Sequence, residues 1–159
     1  MKGIARIGLA TLFGTILATS VANADPAKPV EECLSVAPLP ENAIQRIAES
    51  DRAVGGIWQP GAWYGTWHTI ADTCHIFLVL SVDGDDASVI YSYAEYDYPA
   101  GYEEIEADIG RDGALRFSVS WGAELTYRNN EAGPPGSLIA TYSQRGSWDI
   151  VLLPIDMAP

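Results

Sequence analysis

From Trp58 onward the chain breaks into eight short runs of β-forming residues, 63–70, 75–82, 87–93, 102–109, 115–121, 123–128, 137–143 and 147–153. Turn formers separate them, among them Asp83-Gly84-Asp85-Asp86, Arg111-Asp112-Gly113 and Gln144-Arg145-Gly146. Alternating apolar and polar residues between closely spaced turns specify strands with short connections. Nothing between the runs has the length or period of a crossover helix, so consecutive strands must be antiparallel neighbours. The expectation is an all-β, eight-stranded antiparallel up-and-down barrel, whose closure removes exposed sheet edges. A two-sheet sandwich is the architectural alternative.

Alternation also predicts which side chains point inwards. Trp63 and Trp67 share one face of the first run, and Val89, Tyr91 and Tyr93 one face of the third. Leu115, Phe117, Val119 and Trp121 alternate with polar residues, as do Leu125 and Tyr127. Leu138, Ala140 and Tyr142, then Trp148, Ile150 and Leu152, continue the series. The second run is mixed: Phe77 and Val79 oppose Ile76, Leu78 and Leu80, so both its faces need cover. An eight-stranded barrel either fills with its own side chains or holds one small molecule. The candidate ligand-binding residues are therefore the inward aromatics Trp63, Trp67, Tyr91, Tyr93, Phe117, Trp121, Tyr127, Tyr142 and Trp148.

Ahead of the barrel, residues 25–40 contain Pro26, Pro29, Pro38 and Pro40 and read as an extended lead-in. Ile44, Ile47 and Ala48 then fall at helical spacing, with Asn42 and Gln45 resembling a capping box. This predicts a short helix from 43 towards 54, ending before Gly55-Gly56 and covering the outer face of the second strand. The domain reading is a leader over 1–24, an extended segment with a helix over 25–56, and a barrel over 57–159.

The leader follows from Lys2 and Arg6, the apolar stretch 7–19 and Ala22-Asn23-Ala24, the pattern of a cleaved secretory signal peptide. That stretch is shorter than the roughly 20 residues of a membrane span. A periplasmic or secreted destination is oxidising, and there Cys33 and Cys74 are expected to pair. Closing a loop of about 40 residues stabilises a fold by about 3–4 kcal/mol in the chain-entropy treatment. Only His68 and His75 could join the thiols at a metal, and their spacing matches no zinc pattern, so no metal or other cofactor is expected. With 9 Lys and Arg against 21 Asp and Glu, the chain carries a formal charge of -12. Such a surface repels nucleic acid and anionic lipid.

Gly61-Ala62-Trp63-Tyr64-Gly65-Thr66-Trp67 holds two Gly-x-Trp units at the start of an eight-strand meander. Over roughly 58–153 this resembles the calycin group: lipocalins, fatty-acid-binding proteins and avidins. Lipocalins usually carry an Arg on or just after the last strand. Here Arg145 lies in the turn before it, and the tight loops are closer to an avidin-sized barrel. The resemblance implies a small ligand in the barrel mouth. A second resemblance, through Gly65-Thr66-Trp67 and Cys74-His75-Ile76, is to bacterial periplasmic inhibitors of secreted metalloproteases. It implies a protein partner met by the N-terminal arm. In that family both cysteines lie in the barrel, whereas Cys33 lies in the arm.

Catalytic motifs are absent from the sequence: no nucleophile elbow, no Walker loop, no His-Glu-x-x-His. Asp83-Gly84-Asp85-Asp86 lacks the other ligands of a calcium loop and is explained as a hairpin turn. His68 is expected to face outwards, and His75 to stand at a strand start beside the disulfide. Glu95, Asp97, Glu103, Glu104, Glu106 and Asp108, interleaved with Tyr96, Tyr98 and Tyr102, could supply the paired carboxylates of a glycosidase. The expectation is a solvated acidic rim. The leading function is non-catalytic binding of a small apolar or aromatic ligand, followed by a protein-interaction or inhibitor module, and third a small-barrel enzyme. The enzyme reading needs an inward titratable residue such as His68 or Glu95.

Overall fold

In a computed structural model the described residues are 28–50, 56–67, 73–94 and 99–156. The leader 1–24, His68, Glu95, Tyr96, Asp97 and Tyr98 lie outside them. Four of the seven strand connections turn at a glycine of positive φ, Gly84, Gly113, Gly122 and Gly136, a conformation that non-Gly side chains resist. The strands are β1 (Gly61–Trp67), β2 (Thr73–Asp83), β3 (Asp86–Ala94), β4 (Gly101–Ile109), β5 (Leu115–Ser118), β6 (Glu124–Asn129), β7 (Leu138–Ser143) and β8 (Ser147–Pro154). They pair in sequence order, all antiparallel, into a closed barrel, the architecture that the calycin resemblance implies. No helix of the described residues is long and apolar enough to cross a membrane.

Two ladders are short. β4 and β5 share only the pairs Asp108–Arg116 and Ile109–Leu115. β1 and β8 share only Trp63–Pro154 and Tyr64–Leu153, extended by the Ile155 amide donating to the Ala62 carbonyl at 2.8 Å. Closure also depends on Gly65. A Cβ there would lie 2.6 Å from Leu152 Cδ2 and 2.8 Å from the Val151 carbonyl oxygen, so any larger residue pushes β8 away.

All the alternating inward sets belong to, or pack against, one interior cluster. β2 keeps His75, Phe77 and Val79 on that face until a bulge between Val79 and Ser81 resets the phase, after which Val82 packs inwards. A bulge adds one unpaired residue and shifts the face of everything after it. The opposite face of β2 carries Cys74, Ile76, Leu78 and Leu80 in a second, external cluster with Ala62 of β1 and Ile90 of β3.

Two helices cover this external face. α2 (Ala43–Ala48) sets Ala43 and Ile47 into the cluster and is shorter than the predicted helix, whose continuation over 51–55 lies outside the described residues. The predicted capping box does not form. Asn42 sits in the left-handed region at φ 70° without a side-chain cap bond, and Gln45 Nε2 instead donates to Glu49 Oε1 at 2.6 Å. α1 (Val30–Val36) replaces part of the expected extended lead-in. Its helical state rests on tertiary contacts: Cys33 and Ala37 are buried, and Cys33 is joined to Cys74 over a sequence separation of 41. Polar clips complete the attachment. Ser92 Oγ donates to the Pro38 carbonyl at 2.6 Å, the Lys28 amide donates to Thr66 Oγ1 at 3.2 Å, and the Ser50 hydroxyl bonds the Leu80 carbonyl.

Candidate functional site

The barrel interior is a continuous column of rings. At the end holding the β2–β3, β4–β5 and β6–β7 turns, Trp58 is buried and its indole donates to the Gly113 carbonyl at 2.9 Å. Trp63 stands edge-on to it at 6.4 Å, its indole donating to the Gly136 carbonyl at 2.8 Å. These two indoles plug that end. Trp58 was missing from the predicted set because it precedes the first strand and alternation has no hold on it.

The middle is filled. Phe77 stacks on Tyr127 with ring centroids 3.9 Å apart and planes 11° from parallel. Phe117 lies 5.5 Å from Tyr127 and 6.1 Å from Phe77. Dispersion contacts at this spacing leave no passage through the barrel.

The opposite end holds the ends of β1, β3, β5 and β7, and its rings are only partly covered. Tyr93, Trp121, Tyr142 and Trp148 are half-buried and Trp67 is 8 % exposed. Trp67 stands edge-on to Tyr142 at 5.8 Å, Tyr142 lies 6.0 Å from Trp148, and Tyr93 is edge-on to Trp121 at 4.8 Å. Polar bonds fix the rim: Trp121 Nε1 donates to Tyr142 Oη at 3.2 Å, and Gln144 Nε2 donates to the Trp121 carbonyl at 3.0 Å.

Trp121 is not on a strand. β5 ends at Ser118, earlier than the predicted run to 121, and Trp121 rides on the turn to β6. Glu103 holds that turn where the β4–β5 ladder has stopped. Its carboxylate accepts from the Ser120 amide at 3.0 and 3.2 Å and from Ser120 Oγ at 2.7 Å. Glu103 pairs with Tyr91 across β3 and β4 and so lies on the interior face. The expected acidic rim is therefore divided. Glu103 serves the barrel mouth, whereas Glu104 faces outwards and takes a two-pronged bond from Arg46 at 3.0 Å to each oxygen.

Beneath the rim lies a polar pair that the strand-start reading of His75 missed. His75 is completely buried, Tyr91 and Tyr127 likewise. Its ring is 4.8 Å from Tyr91, 5.9 Å from Tyr127 and 5.6 Å from Trp67. Nε2 and the Tyr127 hydroxyl are hydrogen-bonded at 2.9 Å, and among the described residues Nδ1 has no hydrogen-bond partner. Burial pushes the imidazole down to about 3, so it is neutral at physiological pH. Burial, with a smaller contribution from Tyr91, raises the Tyr127 hydroxyl well above its ordinary range. The signal for an inward His75 was its parity with Phe77 and Val79. Alternation thus places two titratable residues, His75 and Glu103, on the interior face, where none was expected.

The nine predicted aromatics divide by position. Trp67, Tyr93, Trp121, Tyr142 and Trp148 form the open rim, Tyr91 lies under it, Phe117 and Tyr127 belong to the filled middle, and Trp63 plugs the far end. Trp63 also lines an external groove of about 730 Å³ between α2 and the edges of β1 and β8, with Ile44, Ile47, Pro60 and Pro154. Among the described residues no group of His, Cys, Asp and Glu is placed to hold a metal ion. Comparison with protein-family models, curated proteins and solved structures finds no match to this chain.

Proposed function

We propose that this is an exported barrel protein that binds a small apolar or aromatic ligand, without turning it over, at the aromatic rim. The observation that carries the reading is the unequal treatment of the two barrel ends. One is closed by buried Trp58, hydrogen-bonded to the Gly113 carbonyl, with half-buried Trp63 edge-on to it and hydrogen-bonded to the Gly136 carbonyl; the other leaves four aromatic residues half-exposed around a recessed His–Tyr pair. Aromatic rings left partly wet beside precisely held polar groups are the usual lining of a small-molecule site. The ligand lies shallow, because the Phe77–Tyr127 stack forms its floor. The Cys33–Cys74 bond supports a periplasmic or extracellular setting. The alternative, a protease-inhibitor or other protein-interaction role for the N-terminal arm, has less support, since residues 28–40 lie against β1, β2 and β3.

The five tryptophans provide the test. On titration with α-methylstyrene, a neutral apolar probe, the indole N–H resonances of Trp67, Trp121 and Trp148 should shift saturably while those of Trp58 and Trp63 stay in place. Trp121→Ala with Trp148→Ala should weaken binding at least about tenfold, as expected for anchoring aromatics. Shifts confined to Trp63, or none, would overturn the reading.

A further inference from the structure

The rim explains affinity for an apolar body but leaves the buried Nδ1 of His75 without a role. A buried polar atom with no partner is destabilising, and such atoms are rare in folded proteins. Counting hydrogens decides which kind of atom it is. A neutral imidazole carries one N–H and one lone pair, and the Tyr127 hydroxyl one hydrogen. If Nε2–H donated to Tyr127, both the Tyr127 hydrogen and the Nδ1 lone pair would lack partners, since His75 is the hydroxyl's hydrogen-bond partner. If Tyr127 donates to Nε2, only Nδ1–H remains. The second arrangement leaves one polar group unpaired instead of two, so the free group is a donor. It calls for an acceptor.

The surroundings restrict the acceptor further. A carboxylate or phosphate would have to enter a ring-lined, low-dielectric site in a chain of formal charge -12. A second hydrogen-bond donor would find no acceptor on His75. What suits Nδ1–H is a neutral oxygen bonded only to carbon.

We propose that the rim ligand is a neutral apolar molecule bearing a carbonyl-type oxygen, which accepts a hydrogen bond from His75 Nδ1–H once the ligand displaces Trp67 from the imidazole. Trp67 is the displaced side chain because it is the rim ring that stands directly on His75, at 5.6 Å. His75 sets specificity and Tyr127 fixes its tautomer from behind, while the rim supplies the apolar contact. This proposal rests on the rim-binding reading and adds the chemical class of the ligand.

Two measurements test it. Long-range proton–nitrogen correlation spectra of the full chain identify the protonated ring nitrogen of His75 without any ligand. Nδ1–H is the expected result, and a proton on Nε2 would overturn the proposal. Acetophenone and α-methylstyrene then form a matched pair, nearly identical in shape and differing by C=O against C=CH₂. Water favours keeping the ketone in solution, so a site without a donor prefers α-methylstyrene. The wild type is expected to prefer acetophenone by about fivefold or more, the scale of one hydrogen bond, with a perturbed His75 Nδ1 resonance. His75→Phe with Tyr127→Phe, which removes both members of the pair and strands neither, should reverse the preference while α-methylstyrene still binds. Binding of both probes without preference for the ketone would overturn this proposal and leave rim binding standing. Binding of neither would overturn both.

Discussion

β2 is buried on both faces, and the two faces are built differently. Inwards it presents His75, Phe77 and Val79 to a column of rings. Outwards it presents Cys74, Ile76, Leu78 and Leu80 to an aliphatic layer sealed by two short helices and a disulfide. The outer layer is an attachment. Aliphatic side chains have no polar atoms to satisfy, and a covalent bond fixes helices too short to persist alone. The inner layer has a fixed width set by strand number, and rings span it. Rings also bring polar handles, and the unpartnered imidazole nitrogen of His75 lies among them, inside the barrel. Cover and site are thus separated by the thickness of one strand.

The largest expected effect tests whether the cover can be loosened without disturbing the site. Cys33→Ser with Cys74→Ser should lower stability by about 3–4 kcal/mol in urea denaturation, the chain-entropy cost of reopening a 41-residue loop. The indole N–H resonances of Trp67, Trp121 and Trp148 should remain dispersed. Their collapse would show that the two layers form one cooperative unit. A smaller effect separates the layers by pH. Burial pushes the folded His75 imidazole down to about 3, from 6.5 in the unfolded chain. Between those values the unfolded chain binds a proton that the folded chain does not, so stability rises with pH across that window and is lost on acidification. At about 1.4 kcal/mol per pH unit, roughly 2 kcal/mol should disappear between pH 6.5 and 5. Urea midpoints at the two pH values measure this, and His75→Phe with Tyr127→Phe should flatten the difference, since carboxylates elsewhere act alike in both proteins. The smallest effect belongs to the outer edge of the cover. Arg46 and Glu104 are 40 % and 44 % exposed, so Arg46→Ala should cost only about 0.2–1 kcal/mol in the same assay. A larger loss would mean that this pair, and not the aliphatic layer, holds α2.

Much of this organisation was legible because strands have a period of two and announce their ends. The turn glycines and the alternating sets in β3, β5, β6, β7 and β8 define barrel and interior together. The disulfide was legible from two cysteines and an oxidising destination. α1 was not, because seven residues between prolines carry no period and become helical through Cys33 and Ala37 docking on β2. The early end of β5 was hidden because the side chain of Glu103, from another strand, replaces the ladder there. The parity of His75 with Phe77 and Val79 was readable, yet the residue was placed only at a strand start beside the paired cysteine and assigned to neither face.

Every ladder except that between β1 and β8 joins strands consecutive in the chain. Assembly can therefore proceed hairpin by hairpin, each step closing a short loop with a small entropic cost. Among the strand pairings, only the meeting of β1 with β8 joins the two ends of the meander. That last joint rests on two residue pairs and the close approach at Gly65. It can part without the loss of any hairpin, whereas parting the equally short β4–β5 ladder undoes one. In that sense the protein is a curled sheet whose first and last strands meet along a single seam.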